Sequence, residues 1–158
     1  MQIDIICVGQ IKERYFNEAI KEYLKRLSRY ASLKIIEVKE AKEPKNASNK
    51  DILNMLEEEA KAILNQINDA YVIALAIEGK SLSSISLKEK IDDIITYQNS
   101  HLAFIIGSSY GLSETIKKRS DFLLSFSKAT FPHQLMRVIL LEQLYRVMRI
   151  NNNEPYHK

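Results

Sequence analysis

Short apolar runs alternate with amphipathic stretches along the whole chain. The runs that predict strands occupy 2–9, 33–40, 70–77, 101–107 and 121–127. The run 70–77 is apolar at consecutive positions, which is typical of a strand that is covered on both faces of a sheet. Between the runs, apolar residues recur every three or four positions, which predicts helices. The predicted helices occupy 14–30, 51–67, 86–98, 112–120 and 133–150.

This alternation predicts an α/β fold, with a parallel sheet and helices on both of its faces. We expect the whole chain, 1–158, to form a single domain. The segment 41–50 has no periodicity and is predicted to be a loop. Asn49 and Asp51 are candidate caps of the helix that follows it, and Ser86 and Glu89 have the spacing of a capping box.

The predicted helix 133–150 is apolar on nearly every side. A helix that packs on one sheet needs only one apolar stripe, so the surplus favours a second buried face against another subunit. A helix buried within a single chain would show the same pattern. Glu142 and Arg146 have the spacing of an ion pair on its polar side.

Composition and charge narrow the possible classes of protein. The chain is 46% hydrophobic and 27% charged, with a net charge of +3, which permits a nucleic-acid partner without requiring one. Cys7 lies in an apolar run and is predicted to be a small buried hydrophobe. No cysteine pair has zinc spacing and the histidines are far apart, so we expect no metal site. The sequence shows neither a secretory signal nor an apolar run long enough to span a bilayer. We therefore expect a cytoplasmic protein that is not embedded in a membrane.

Ligands of parallel sheets bind beyond the carboxyl ends of the strands, and three such ends have suggestive residues. They are 75–80, with Gly79 at a predicted turn 78–80, then 107–111, "GSSYG", and 125–133, "SFSKATFPH". The last segment offers hydroxyl groups and two phenylalanines that suit a planar base. Pro132 suits the first turn of the next helix, and places His133 there too. Each segment, taken alone, is equally consistent with an ordinary turn.

The chain resembles the RlmH family of SPOUT methyltransferases over nearly its whole length. The motifs that carry the resemblance are "FPHQLMRVILLEQLYR" and the terminal "YHK". The resemblance implies a SPOUT-type sheet with a C-terminal trefoil knot, and a homodimer formed through the long helix. It also implies methylation of N3 of pseudouridine-1915 in 23S ribosomal RNA, within the ribosome, with S-adenosylmethionine as cofactor.

The resemblance also assigns residues to the site. It places the cofactor against Leu75, Gly107, Phe126, Ser127, Lys128, Ala129, Thr130 and Phe131. In the terminal motif, His157 is the candidate general base, because a neutral histidine accepts a proton near pH 7. Tyr156 is expected to stack on the target base. Lys158, with Arg119 and Arg137, is expected to contact phosphates or a deprotonated base oxygen.

Two positions depart from the family pattern. The family usually has a second glycine where this chain has Ser108, and an acidic residue where it has Ala76. The alternative to an active enzyme is therefore a diverged paralogue that binds the ribosome or RNA with weak or no methyl transfer. A nucleotide-binding regulatory protein without an RNA partner is a third hypothesis.

Overall fold

Strands and helices alternate in the computed structural model, which describes residues 1–156. The strands are β1 (Gln2–Val8), β2 (Ser32–Val38), β3 (Tyr71–Ser81), β4 (His101–Ile106) and β5 (Phe122–Ser125). The helices are α1 (Arg14–Leu27), α2 (Asn49–Leu64), α3 (Ser84–Tyr97), α4 (Glu114–Arg119) and α5 (His133–Asn151). The predicted alternation is confirmed. None of these helices is both long enough and apolar enough to cross a membrane.

The described strands form one parallel sheet in the order β2-β1-β4-β3-β5. Because all the strands run in the same direction, their carboxyl ends lie along one edge of the sheet. The predicted fold class, a parallel α/β sheet with helices on both faces, is confirmed. The trefoil knot stays a prediction from the family resemblance.

The alternating side chains of β1 show how the two faces are filled. Ile3, Ile5 and Cys7 are buried on the face that carries α1, α3 and α5, whereas Ile6 and Val8 are buried on the face that carries α2 and α4. A strand covered on both sides has no face that is open to water, which explains the apolar run 5–8. Burial raises the pKa of the Cys7 thiol to about 12, so Cys7 is a buried hydrophobe with an unreactive thiol, as predicted.

The predicted turn at 78–80 is wrong, because β3 continues to Ser81. The strand makes an irregularity instead, since Leu75 and Lys80 both pair with Leu124 of β5. Gly79 lies against β5 so closely that an added Cβ atom would be 2.7 Å from the carbonyl carbon of Leu123. An isolated glycine in a strand marks either a turn or such a close backbone approach, and here it marks the second.

Two helix starts differ from their predicted caps. Ser48 is the N-cap of α2, and its side chain and that of Asp51 form a reciprocal capping box. The prediction of Asn49 or Asp51 as the cap is therefore wrong by a few positions. The N-cap of α3 is Ser83, which accepts a hydrogen bond from the backbone N–H of Ser86. Serines cluster at this turn, so spacing alone does not select the capping residue.

Helix α5 packs against α1 and α3 as well as the sheet. This internal packing accounts for much of its apolar surface, including the fully buried Leu140 and Leu144. Leu135, Val138 and Ile139 are only partly buried. The predicted ion pair between Glu142 and Arg146 is confirmed, with 2.7 Å between carboxylate and guanidinium atoms.

Candidate functional site

A cleft of about 830 Å³ opens at the carboxyl ends of β3, β4 and β5. Its walls come from the three segments that the sequence singled out, which are far apart along the chain. Such a volume is in the range of pockets that hold small molecules and cofactors. The parallel arrangement of the strands explains why the segments converge, since each strand delivers its following loop to the same edge.

The first wall is the irregular part of β3. Leu75 and Lys80 both pair with Leu124, and the strand leaves the ladder with β5 between them. The residues of this part that line the cleft are Leu75, Ala76, Ile77 and Glu78. Glu78 forms an ion pair with Lys117 of α4, which also lines the cleft. The hydrogen bond from the Lys117 ammonium lowers the pKa of the Glu78 carboxyl. The same contact raises the pKa of Lys117, so both groups are charged at neutral pH.

The second wall is the tight loop that follows β4. Gly107 lies where an added Cβ atom would be 2.2 Å from the carbonyl oxygen of Gly111. Gly111 has a positive φ of 84° and donates its backbone N–H to the carbonyl oxygen of Ser108 over 2.9 Å. Both glycines are required by the loop itself. The Gly107 signal in the sequence therefore has a backbone cause that is independent of any ligand.

The third wall is the loop between β5 and α5. The Ser125 hydroxyl donates to the backbone oxygen of Ser127, and the Ser127 hydroxyl accepts from the backbone N–H of Ala129. These hydroxyls shape the loop, although the sequence suggested that they face a ligand. Phe126, Thr130 and other residues of this loop line the cleft.

Most of the predicted cofactor residues share the cleft. Its lining includes Leu75, Gly107, Phe126, Ser127, Ala129, Thr130 and Phe131. Lys128 is exposed and is not among the lining residues.

Cleft residues that the sequence reasoning missed include Lys117 and Met136. Lys117 and Met136 lie on helices that were interpreted only through their packing. The spacing from Pro132 to Met136 was a usable signal, since it places Met136 one turn into α5, on the side of His133.

His133 lies in the first turn of α5 and lines the cleft. Burial lowers its pKa, and the nearby Arg137 guanidinium lowers it further, so the imidazole is neutral at physiological pH. Arg137 itself is 1% exposed. It contacts Glu37 at 2.7 Å and donates to the backbone oxygens of Val8 and Gly9. The prediction that Arg137 contacts RNA is wrong, because its guanidinium is used inside the fold.

Residues 152–156 fold back on α5, and none of them lines the cleft. The ring of Tyr156 lies 5.0 Å from that of Tyr145, with Arg146 over its face, and its hydroxyl donates to Glu142 over 3.3 Å. Tyr156 is thus held by the middle of α5, whereas the cleft is at the first turn. His157 and Lys158 lie outside the described residues.

Two other basic residues, Arg119 and Arg26, have intramolecular partners. Arg119 is partly exposed and lies 3.7 Å from a carboxylate oxygen of Asp121. On α1, Arg26 pairs with Glu22 and lies over the ring of Tyr23. Among the described residues, no group of three or more acidic, histidine or cysteine side chains is placed to hold a metal ion.

Comparisons with known proteins give sequence matches over nearly the whole chain. The family described as "Predicted SPOUT methyltransferase" matches residues 1–157. "Ribosomal RNA large subunit methyltransferase H" of Clostridium botulinum (strain Alaska E43 / Type E3) is 55% identical, and both chains are covered completely. The protein with the same name from Bacillus cytotoxicus is 53% identical, again with complete coverage of both chains.

A solved structure shows the same fold. It is "The structure of a probable methylase family protein from Haemophilus influenzae Rd KW20", which aligns with a TM-score of 0.56 at 14% identity. The alignment covers 99% of this chain and 70% of the other. At this identity the likeness concerns the fold alone.

Proposed function

Because this chain belongs to the SPOUT methyltransferase family, we propose that it is a ribosomal RNA large subunit methyltransferase that uses S-adenosylmethionine to methylate N3 of a pseudouridine in 23S ribosomal RNA. The observation that carries the proposal is the convergence of three strand-end segments on one cleft, in a chain so similar to proteins of that name. The RlmH resemblance supports the pseudouridine as the target. A single domain over the whole chain is part of the same proposal.

The cleft suits S-adenosylmethionine in size and in chemistry. Its volume of about 830 Å³ exceeds what a small metabolite needs, and Leu75, Phe126 and Phe131 provide apolar and aromatic surface for a planar base. Thr130 offers a hydroxyl group for the polar parts of the molecule. When bound, S-adenosylmethionine supplies a methyl group that is already activated on a sulfonium, so the protein chiefly has to hold donor and acceptor in line.

The acceptor requires a proton to be removed. N3 of pseudouridine carries an imide proton, which must leave before or during the attack on the methyl group. We assign its removal to His157, with Tyr156 to orient the base and Lys158 to stabilise the deprotonated oxygen. All three belong to the terminal motif on which the resemblance rests. Tyr156 itself contacts Tyr145 and Arg146, which places the start of this motif beside α5.

The position of the tail supports a homodimer. Tyr156 contacts Glu142, while the cleft begins at His133, about 14 Å away along α5 at 1.5 Å per residue. Two further residues span at most about 7 Å. The tail of one subunit therefore suits the cleft of a second subunit better than its own. The partly buried Leu135, Val138 and Ile139 of α5 offer apolar surface for that partner.

The ribosome is the proposed RNA partner, and the cytoplasm the proposed location. A net charge of +3 is modest for a protein that must recognise RNA by itself. A preformed ribosomal surface provides additional contacts, and with them selectivity. We expect association with ribosomes to weaken as salt concentration rises.

The decisive experiment is methyl transfer from labelled S-adenosylmethionine to ribosomes that lack the modification, with an active relative as the positive control. Label that maps to the pseudouridine establishes the activity. No label, with the control active, favours the diverged paralogue.

The substitution His157→Ala tests the general base. It should lower turnover by about 10²-fold or more at unchanged cofactor affinity, and equal turnover would exclude His157 as the base.

A further inference from the structure

Glu59 of α2 is a buried carboxylate that links two loops near the cleft. Glu59 is 3% exposed, and it does not line the cleft itself. One oxygen accepts the backbone N–H of Ala41 over 3.1 Å. The other accepts the hydroxyl of Ser108 over 2.9 Å. A buried carboxylate is costly unless its oxygens are hydrogen-bonded, and both oxygens of Glu59 have a partner.

The Ser108 end of this link belongs to the wall of the cleft. Ser108 is itself buried, and its backbone oxygen holds the N–H of Gly111. Gly107 lies so close to Gly111 that an added Cβ atom would be 2.2 Å from the Gly111 carbonyl oxygen. We therefore expect a displacement of Ser108 to disturb the loop 107–111, whose residues line the cleft.

The Ala41 end belongs to the segment that connects β2 to α2. Ala41 is buried, and two residues later Glu43 accepts a hydrogen bond from the Tyr110 hydroxyl. The segment and the loop 107–111 are thus joined twice, once through buried Glu59 and once through an exposed contact. Buried hydrogen bonds restrict motion more than exposed ones, because water does not compete for them.

We propose that Glu59 is a positioning residue for the methyl-transfer reaction, which holds the loop 107–111 in its cofactor-binding shape through the hydroxyl of Ser108. The inference rests on the proposed function. It also assigns a role to the hydroxyl of Ser108, at a position where the family usually has glycine. With glycine at position 108, one oxygen of the buried Glu59 carboxylate would lose its hydroxyl donor.

The test measures S-adenosylmethionine affinity by calorimetry, together with kcat and KM on ribosomes. Ser108→Ala removes only the hydroxyl, and should weaken cofactor affinity by about tenfold while kcat at saturating cofactor changes little. Glu59→Ala should have a similar effect. Glu59→Gln should restore affinity, because an amide oxygen accepts from Ala41 and the amide nitrogen donates to the Ser108 oxygen.

A double-mutant cycle separates positioning from general stability. If the hydroxyl acts through Glu59, Ser108→Ala should have little further effect on affinity in the Glu59→Ala background. The matched control is Glu57→Gln on the same helix, where Glu57 accepts a hydrogen bond from Thr115 at an exposed contact. Cofactor affinity should be unchanged in that variant.

Several outcomes would overturn the inference. Additive effects of the two substitutions, or a folded Ser108→Ala protein with wild-type affinity, would show that the link does not shape the cleft. If Glu59→Ala does not fold, the Ser108→Ala affinity alone decides the question. A wild-type protein that binds no S-adenosylmethionine would instead contradict the proposed function, and the inference with it.

Discussion

The hydroxyl of Tyr30 donates a hydrogen bond of 2.8 Å to Oε2 of Glu154, a residue 124 positions later in the chain. Glu154 also contacts Arg149 at 2.5 Å and Arg29 at 3.9 Å. The backbone N–H of Glu154 donates to the carbonyl oxygen of Arg149. These contacts fix the tail against the end of α5 and the turn after α1, just before the terminal motif.

Loosening this anchor should impair catalysis without impairing cofactor binding. Glu154→Gln removes the charge that pairs with Arg149 and Arg29, and Tyr30→Phe removes the hydroxyl donor. We expect each variant to lower kcat on ribosomes by about threefold to tenfold, because a misplaced catalytic group reduces the fraction of productive complexes. Calorimetry should find wild-type affinity for S-adenosylmethionine.

Tyr15→Phe is the control for that prediction, since Tyr15 is an exposed tyrosine on α1 and 65% of its surface is accessible. Its turnover should equal that of the wild type. Wild-type turnover in both Glu154→Gln and Tyr30→Phe would mean that the anchor has no part in catalysis.

The contact between Arg137 and Glu37 should be essential for stability. Arg137→Met leaves Glu37 without its partner and leaves two backbone oxygens, of Val8 and Gly9, without their side-chain donor. Breaking a buried pair typically costs about 3–5 kcal/mol. Because Glu37 is partly exposed, we expect a loss of about 3 kcal/mol in the free energy of unfolding by urea.

The comparison variant is Arg119→Met, whose pair with Asp121 is partly exposed on both sides. Its loss should be below about 1 kcal/mol. Equal losses in the two variants would show that the burial of Arg137 has no energetic consequence.

Gly79 should tolerate a methyl group poorly. An added Cβ atom would lie 2.7 Å from the carbonyl carbon of Leu123 and 2.8 Å from that of Leu124, and both are backbone atoms that cannot rotate away. Gly79→Ala should therefore force β3 and β5 apart and cost about 2–3 kcal/mol. Gly111→Ala meets no atom within 4 Å but keeps a positive φ, so it should cost about 1–2 kcal/mol. Thermal unfolding of both variants checks the order, and a smaller loss for Gly79→Ala would contradict it.

The ionisation of Glu59 should make stability depend on pH. Burial raises the pKa of the Glu59 carboxyl above its ordinary value of 4.5, with further contributions from the negative charges of Glu40 and Glu58, and outweighs its hydrogen bonds to Ala41 and Ser108. The folded state then binds this proton more tightly than the unfolded state. Stability is consequently lost as pH rises from the unfolded pKa through the folded pKa.

Glu59→Gln has no proton to lose, so its melting temperature relative to the wild type should increase with pH above 4.5. The two proteins should be most similar in acid, where the wild-type carboxyl is protonated. Melting temperatures measured across this interval test the sign, and a difference that shrinks as pH rises would contradict the assignment.

The sequence indicated the site through its strand ends, because a parallel sheet collects the loops that follow its strands at one edge. Leu75, Gly107 and Phe126 were placed together on that basis and on the family resemblance, and they do line one cleft. Local patterns are sufficient to locate the edge of the sheet where the cleft lies, since the period of apolar residues reports burial within each element.

The cap of α2 and the path of β3 through Gly79 were not predicted correctly, although both are local features. At the start of α2, Ser48, Asn49 and Asp51 are all suitable capping residues, and only the backbone geometry selects Ser48. In β3, the glycine at position 79 is compatible with a turn or with close strand contact.

The sequence by itself determined the alternation of strands and helices, the burial of the strands on both faces and the edge where the cleft lies. Only the tertiary structure decided which distant polar groups meet. It placed Arg137 inside the fold beside Glu37, Ser108 against Glu59, and the tail at Tyr30. Burial follows from the pattern of residues that are neighbours in the sequence. The pairing of polar groups depends instead on strand order and helix packing, because these bring together residues that are 49 to 124 positions apart.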